Sequence, residues 1–157
     1  AREVARTARS LGMIVSASDP LFEATDPIWL ETSVTPAPLE QLLAGSDAVS
    51  LHVPLTAQTR HMIDADALSR MPPDSYLINS SRGGVVDEEA LAAALRSGKL
   101  AGAVLDVFEQ EPLPANSTFA DLPNIILTPH IAGVTEESNR RVSAVTAANL
   151  RRVLQAH

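Results

Sequence analysis

The residues best able to do chemistry here are an arginine, a glutamate and a histidine, each placed where a strand runs out. Arg82 stands in Asn79-Ser80-Ser81-Arg82-Gly83-Gly84-Val85-Val86-Asp87, behind the apolar run Tyr76-Leu77-Ile78 and ahead of a helical pattern. That order predicts a buried strand ending in a glycine turn, with one arginine at the carboxyl edge where open α/β sheets bind ligands. Gly83-Gly84 lets backbone approach a ligand closely, and a guanidinium fork matches a carboxylate with two parallel hydrogen bonds. Glu111 lies in Asp106-Val107-Phe108-Glu109-Gln110-Glu111-Pro112 and His130 in Leu127-Thr128-Pro129-His130, both at strand-end positions. A carboxylate beside a histidine orients the ring and favours imidazolium, which suits acid and base duty near neutral pH. Together the three are fitted to grip a carboxylate and move a proton at a neighbouring oxygen, as handling a 2-oxo acid requires.

Each residue also has a plainer reading. Arginine before glycine is commonly a solvated turn residue, and Glu111 before Pro112 fits a turn. A lone histidine is more often packed or exposed than catalytic, so His52, His61 and His157 are expected in that ordinary role. His130 differs because Glu111 is available as a partner. Asp19, in Ser18-Asp19-Pro20, fits an Asp-Pro turn. In a dinucleotide fold it would instead accept from the adenosine ribose hydroxyls and repel a 2′-phosphate. Asp106 ends its strand and can either accept from a carboxamide or cap a turn. No pair of metal ligands is closely spaced on one helical face, and neither a Gly-x-Ser-x-Gly elbow nor a Walker-type loop occurs.

The elements that must position these groups alternate strand with helix. Residues 2–11 show helical spacing in Val4, Ala5, Ala8 and Leu11, closed by Gly12. Residues 13–17 read as a strand, 21–38 as a loop rich in proline and threonine, and 38–43 as a short helix with proline near its start. A strand is expected over 48–53, ended by Pro54, then an aspartate-capped turn or two over 64–69. Residues 87–95 form a strong helix pattern with an acidic first turn and Gly98 just past its end. Strands follow at 103–107 and 124–127, and a long helix from 135. Short, nearly continuous apolar strands alternating with helices predict a parallel sheet with helices on both faces.

Composition narrows the classes. The chain has 157 residues, 45 % hydrophobic and 20 % charged, enough for one globular domain with a sizeable core. A formal charge of −7 with no basic cluster disfavours nucleic acid as a partner, since such binding neutralises phosphates with lysine and arginine. With no cysteine there can be no disulfide, thiolate nucleophile or cysteine-ligated metal. The apolar runs are far too short for a membrane span and no leader is visible, so a cytoplasmic protein without a membrane partner is expected.

The motifs resemble those of the D-isomer-specific 2-hydroxyacid dehydrogenases, whose members include phosphoglycerate, glycerate and D-lactate dehydrogenases. The matching stretches run from Arg2-Glu3-Val4-Ala5 to Asp19-Pro20, then His52-Val53-Pro54-Leu55, the Arg82 turn, Leu105 to Pro112, and Thr128-Pro129-His130-Ile131-Ala132-Gly133. The resemblance implies a Rossmann-like, doubly wound parallel sheet and NAD as cofactor. It implies that Arg82 holds the substrate carboxylate, that His130 exchanges a proton with the 2-oxygen, and that Glu111 holds His130. It implies that Asp19 meets the ribose and Asp106 the nicotinamide carboxamide. Val53, Pro54, Thr59, Ser80, Ser81 and Gly133 would line the dinucleotide beside them. Hydride transfer between nicotinamide and a small D-2-hydroxy acid or 2-oxo acid is then the expected reaction.

The family's domain opens with a strand and a Gly-x-Gly-x-x-Gly turn, and Ala1 falls on the last position of that fingerprint. The expectation is therefore a sheet lacking its first, central strand and most of the glycine loop, with two half-sheets whose facing edges are unpaired. Residues 1–134 would be a partial dinucleotide-binding domain and residues 135–157 a helix leading back toward the substrate domain. Relatives commonly pair through this domain, which makes a homodimer the expectation. A corepressor-like module that senses NAD without turnover is the alternative from another class. Acid–base chemistry without a nicotinamide is disfavoured by Asp19 and the fold. The 157 residues alone are expected to bind NAD weakly and turn nothing over; micromolar NADH binding, seen as a fluorescence change, would contradict this.

Overall fold

The computed structural model describes residues 1–155, so His157 and the end of the helix expected over 135–157 lie outside the described residues. The elements are α1 (Arg2–Ser10), β1 (Ser16–Ala17), α2 (Pro27–Thr32), β2 (Thr35–Pro36), α3 (Leu39–Gly45), β3 (Ala48–Leu51), α4 (Ala65–Arg70), β4 (Tyr76–Asn79), α5 (Glu88–Arg96), β5 (Gly102–Leu105), β6 (Ile125–Leu127) and α6 (Glu136–Gln155). All strand pairs are parallel, in two sheets ordered β1-β2 and β3-β4-β5-β6. This is an α/β Rossmann-like arrangement divided into two pieces.

Register explains which face is buried. Val49, Leu77 and Ala103 are neighbours across the large sheet, as are Leu51, Asn79 and Leu105. All six are buried, and the five apolar ones pack with Leu43 of α3, Leu68 of α4 and Leu91 and Leu95 of α5. The opposite face carries Ser50, Tyr76 and Ile126, which are exposed. Three helices thus cover one face, whereas α1 and α6 bury no residue. Cover on both faces is expected of a doubly wound sheet; here the second layer is left open. Helices α4 and α5 start on aspartates, as their sequences predict. The Asp64 carboxylate accepts from the Ala67 amide at 2.9 Å, and Asp87 accepts from Ala90 at 3.0 Å.

Departures occur mainly in the first third. The strand expected over 13–17 pairs only at Ser16 and Ala17, and Ile14 is 95 % exposed. Hydrogen-bonded neighbours define a strand, and this segment has only a short one beside it. The expected loop over 21–38 contains α2 and β2; proline at the first helical position after Asp26 was the available signal. Strand β3 stops at Leu51, two residues short of the predicted end, because pairing with β4 ends at Asn79.

Leu77 is wholly buried in the centre of the large sheet. Leu77→Ala should cost about 2–5 kcal/mol, read from the midpoint of urea unfolding.

Candidate active site

The site is built on the carboxyl ends of β3 to β6. At the end of β4, buried Asn79 organises the arginine turn: its amide donates to the Arg82 carbonyl at 3.0 Å, and its oxygen accepts from the Ser81 amide and hydroxyl. Gly84 has φ +76, which explains a glycine there. Gly83 answers a different constraint. A Cβ at that position would lie 1.8 Å from the Phe108 carbonyl oxygen, so the turn rests directly on the backbone beyond β5. The Arg82 side chain is exposed, bonds only the Ser81 carbonyl, and pairs with no carboxylate among the described residues.

Beyond β5 the chain runs to Glu111, whose Oε1 accepts from the Phe108 amide at 3.0 Å. Its Oε2 lies 2.9 Å from His130 Nδ1. Hydrogen bonds from His130 and from the Phe108 amide hold the Glu111 carboxyl below its usual range, so it stays ionised and can only accept. The bond therefore puts a hydrogen on Nδ1 and leaves Nε2 free to exchange a proton. His130 has φ +55, a left-handed conformation that a non-glycine residue holds only when its surroundings enforce it.

Asp106 is that enforcement. It is 4 % exposed, and its carboxylate accepts from the Thr128 hydroxyl, from the Ile131 amide at 2.9 Å and from the Ala132 amide at 2.8 Å. Burial pushes its pKa up. The three hydrogen bonds, with the nearby His130, outweigh burial and hold it below 3.8. Both oxygens are thus engaged in pinning the loop that carries His130 and Gly133.

A cavity of about 310 Å³ is lined by Ala1, His52, Val53, Pro54, Ser80, Ser81 and Arg82. Thr59 donates to the Pro54 carbonyl at 2.6 Å, bracing the loop after β3 rather than projecting alone. Burial lowers the His52 pKa, and its ring bonds Ser50. Asp19, exposed just past β1, accepts from the Leu21 amide at 3.0 Å through one oxygen. The other oxygen has no donor among the described residues. Residues 10–59 contain no lysine or arginine.

Arg82, Val53, Pro54, Ser80 and Ser81 therefore meet at one cavity, while Glu111 bonds His130 and Asp106 pins the residues on either side of that histidine at the same sheet edge. Asp19 stands apart on the small sheet. Two features went unread in sequence. Asn79 was visible only as part of the turn motif. His61, expected in an ordinary role, has its Nε2 2.9 Å from Glu109 Oε1; a partner 48 positions away leaves no local signal.

The sequence profile of the D-isomer specific 2-hydroxyacid dehydrogenase NAD-binding domain matches residues 1–132. The chain belongs to this family. It is 55 % identical over 154 residues to an (S)-sulfolactate dehydrogenase of Chromohalobacter salexigens, covering 98 % of this chain and 50 % of that protein. A glyoxylate reductase of Thermofilum pendens is 51 % identical over 117 residues, 74 % of this chain and 34 % of that one. Among solved structures, a D-lactate dehydrogenase of Aquifex aeolicus complexed with NAD and lactic acid superposes with a TM-score of 0.82 at 33 % identity. The match covers 98 % of this chain and 50 % of that one. The chain thus spans half or less of these relatives, and residues 1–132 match the family's NAD-binding domain.

Because the folded-state pKa of Asp106 is depressed, its stabilisation is complete above 3.8 and is lost as pH falls through the lower folded value. Asp106→Asn should therefore destabilise at neutral pH, with the gap to the unaltered protein closing as pH drops below 3.8; urea titrations across that range check it.

Proposed function

We propose that this domain is the nucleotide-binding half of an NAD-dependent oxidoreductase that interconverts a small D-2-hydroxy acid and its 2-oxo acid. The reading rests on one observation above the others: the 2.9 Å pair of His130 and Glu111 at the sheet edge that also carries the exposed Arg82. NAD supplies the hydride acceptor or donor. Arg82 grips the substrate carboxylate in its fork and draws electron density from the neighbouring carbonyl. His130, through Nε2, gives a proton to the 2-oxygen on reduction and takes it back on oxidation, while ionised Glu111 fixes the ring and balances its charge. Asp19 accepts from the adenosine ribose. Asp106, besides pinning the His130 loop, offers its remaining lone pair to the carboxamide. Val53, Pro54, Thr59, Ser80, Ser81 and Gly133 form the dinucleotide wall.

Residues 1–134 serve as the nucleotide-binding unit, and α6 leads back toward a substrate domain. Exposed apolar residues on β6 and α6, including Ile126, Val142, Val145 and Leu150, favour a homodimer through this domain. Reliance on a cofactor kept inside cells favours the cytoplasm, and no helix among the described residues is long and apolar enough to cross a membrane. The relatives' names point to acids as different as sulfolactate and glyoxylate, so the substrate class is assigned only as a short 2-hydroxy acid.

In the full-length protein, assayed with (S)-sulfolactate, D-lactate and glyoxylate, NADH should be used in preference to NADPH. His130→Ala should lower kcat by about 10²–10⁴-fold while leaving NADH binding intact. Unchanged turnover in that variant, or a preference for NADPH, would refute the assignment; retained NADH-dependent partner binding without turnover in the unaltered protein would favour a sensor.

A further inference from the structure

His130 is not the only histidine bonded to this loop. His61 and Glu109 form a second histidine–carboxylate pair at 2.9 Å, and Glu109 stands two residues from Glu111. The two pairs share a backbone feature: His61 has φ +50 and His130 φ +55. Both rings are thus carried on left-handed residues that their surroundings must hold in place. His61 is secured on its other side by its own amide, which donates to the Gly84 carbonyl at 2.8 Å. The next residues continue that attachment, with Ile63 donating to Val85 at 3.2 Å and Asp87 to Ile63 at 3.0 Å. The loop is clasped from below as well, since the Glu109 amide donates to Glu88 Oε1 at 2.7 Å.

We propose that His61 and Glu109 are a positioning pair, fixing the loop over residues 108–111 between the arginine turn and His130 and so setting where Glu111 presents its carboxylate. The inference rests on the dehydrogenase reading of the same site. Glu111 reaches His130 from a loop whose Phe108 amide it also accepts, so a shift of that loop moves the whole catalytic pair. Gly83 already presses the arginine turn onto the Phe108 carbonyl, leaving rotation of the loop as the freedom to be restrained. His61 restrains it by tying Glu109 to the segment beside Gly84. The pair touches neither Arg82 nor His130 through any hydrogen bond. Its effect is exerted through geometry.

Three variants of the full-length protein separate position from charge. His61→Ala and Glu109→Ala delete the bond. Glu109→Gln deletes the charge but keeps an oxygen that accepts from Nε2. A misplaced catalytic group costs turnover more than cofactor binding, so the two alanine variants should lose at least about tenfold in kcat with KM for NADH within about twofold. Glu109→Gln should stay within about twofold of the unaltered protein. Equal losses in Glu109→Gln and Glu109→Ala would overturn the proposal, as would unchanged kcat in both alanine variants. Hydrogen exchange needs no substrate and gives an independent readout. The Phe108 and Glu109 amides should exchange at least about tenfold faster in His61→Ala, while the amides of β4 keep their protection and show that the fold persists. Unchanged exchange at those two amides would refute the pairing role. Absence of turnover in the unaltered protein would count against the dehydrogenase reading, and exchange alone would then decide the positioning role.

Discussion

The contact between Gly83 and the Phe108 carbonyl governs how this site is assembled. With no side chain between them, the arginine turn beyond β4 lies on the main chain beyond β5. Two adjacent strand ends are thereby locked at a spacing no larger residue would allow. Everything polar at the edge is arranged around that contact. Asn79 shapes the turn from beneath, Glu88 caps the Glu109 amide, and Glu111 folds back on the Phe108 amide before reaching outward.

The acids at this edge divide their work by burial. Asp106 is sequestered and accepts from three donors, which together hold its pKa down. Glu111 is more open and holds the His130 ring through Nδ1. Glu88 is pushed the other way: burial raises its pKa, with like charges on Glu109, Glu89 and Glu111 adding to the effect against the one amide that stabilises it. The edge therefore gathers several carboxylates whose burial and mutual repulsion act together on Glu88.

Much of this was legible in the chain itself. The strand–turn–helix order around Arg82, the aspartate caps of α4 and α5 and the apolar runs of β4 to β6 are local patterns, and local patterns are what periodicity and turn chemistry report. The pairing of Glu111 with His130 was inferable because both sit at strand ends that a parallel sheet brings together. The short elements between Ala17 and Leu39 were not legible, since a six-residue helix and a two-residue strand carry too few positions to set a period. The open second face was not legible for another reason. Apolar residues in β4 and β6 announce that they want cover, but they do not name the helix that supplies it. The His61–Glu109 bond escaped because its partners lie in separate loops, each unremarkable on its own.

The division of the strands into two sheets has a practical consequence for anyone handling this polypeptide. The outer flank of β3 presents a row of amide and carbonyl groups that no neighbouring strand among the described residues satisfies, next to a sheet face with Tyr76 and Ile126 in contact with water. Such a flank is a template for accretion of identical molecules, and it lacks the lysine that natural edges commonly use to deter it. Self-association into insoluble material is thus the characteristic hazard of this segment handled in isolation.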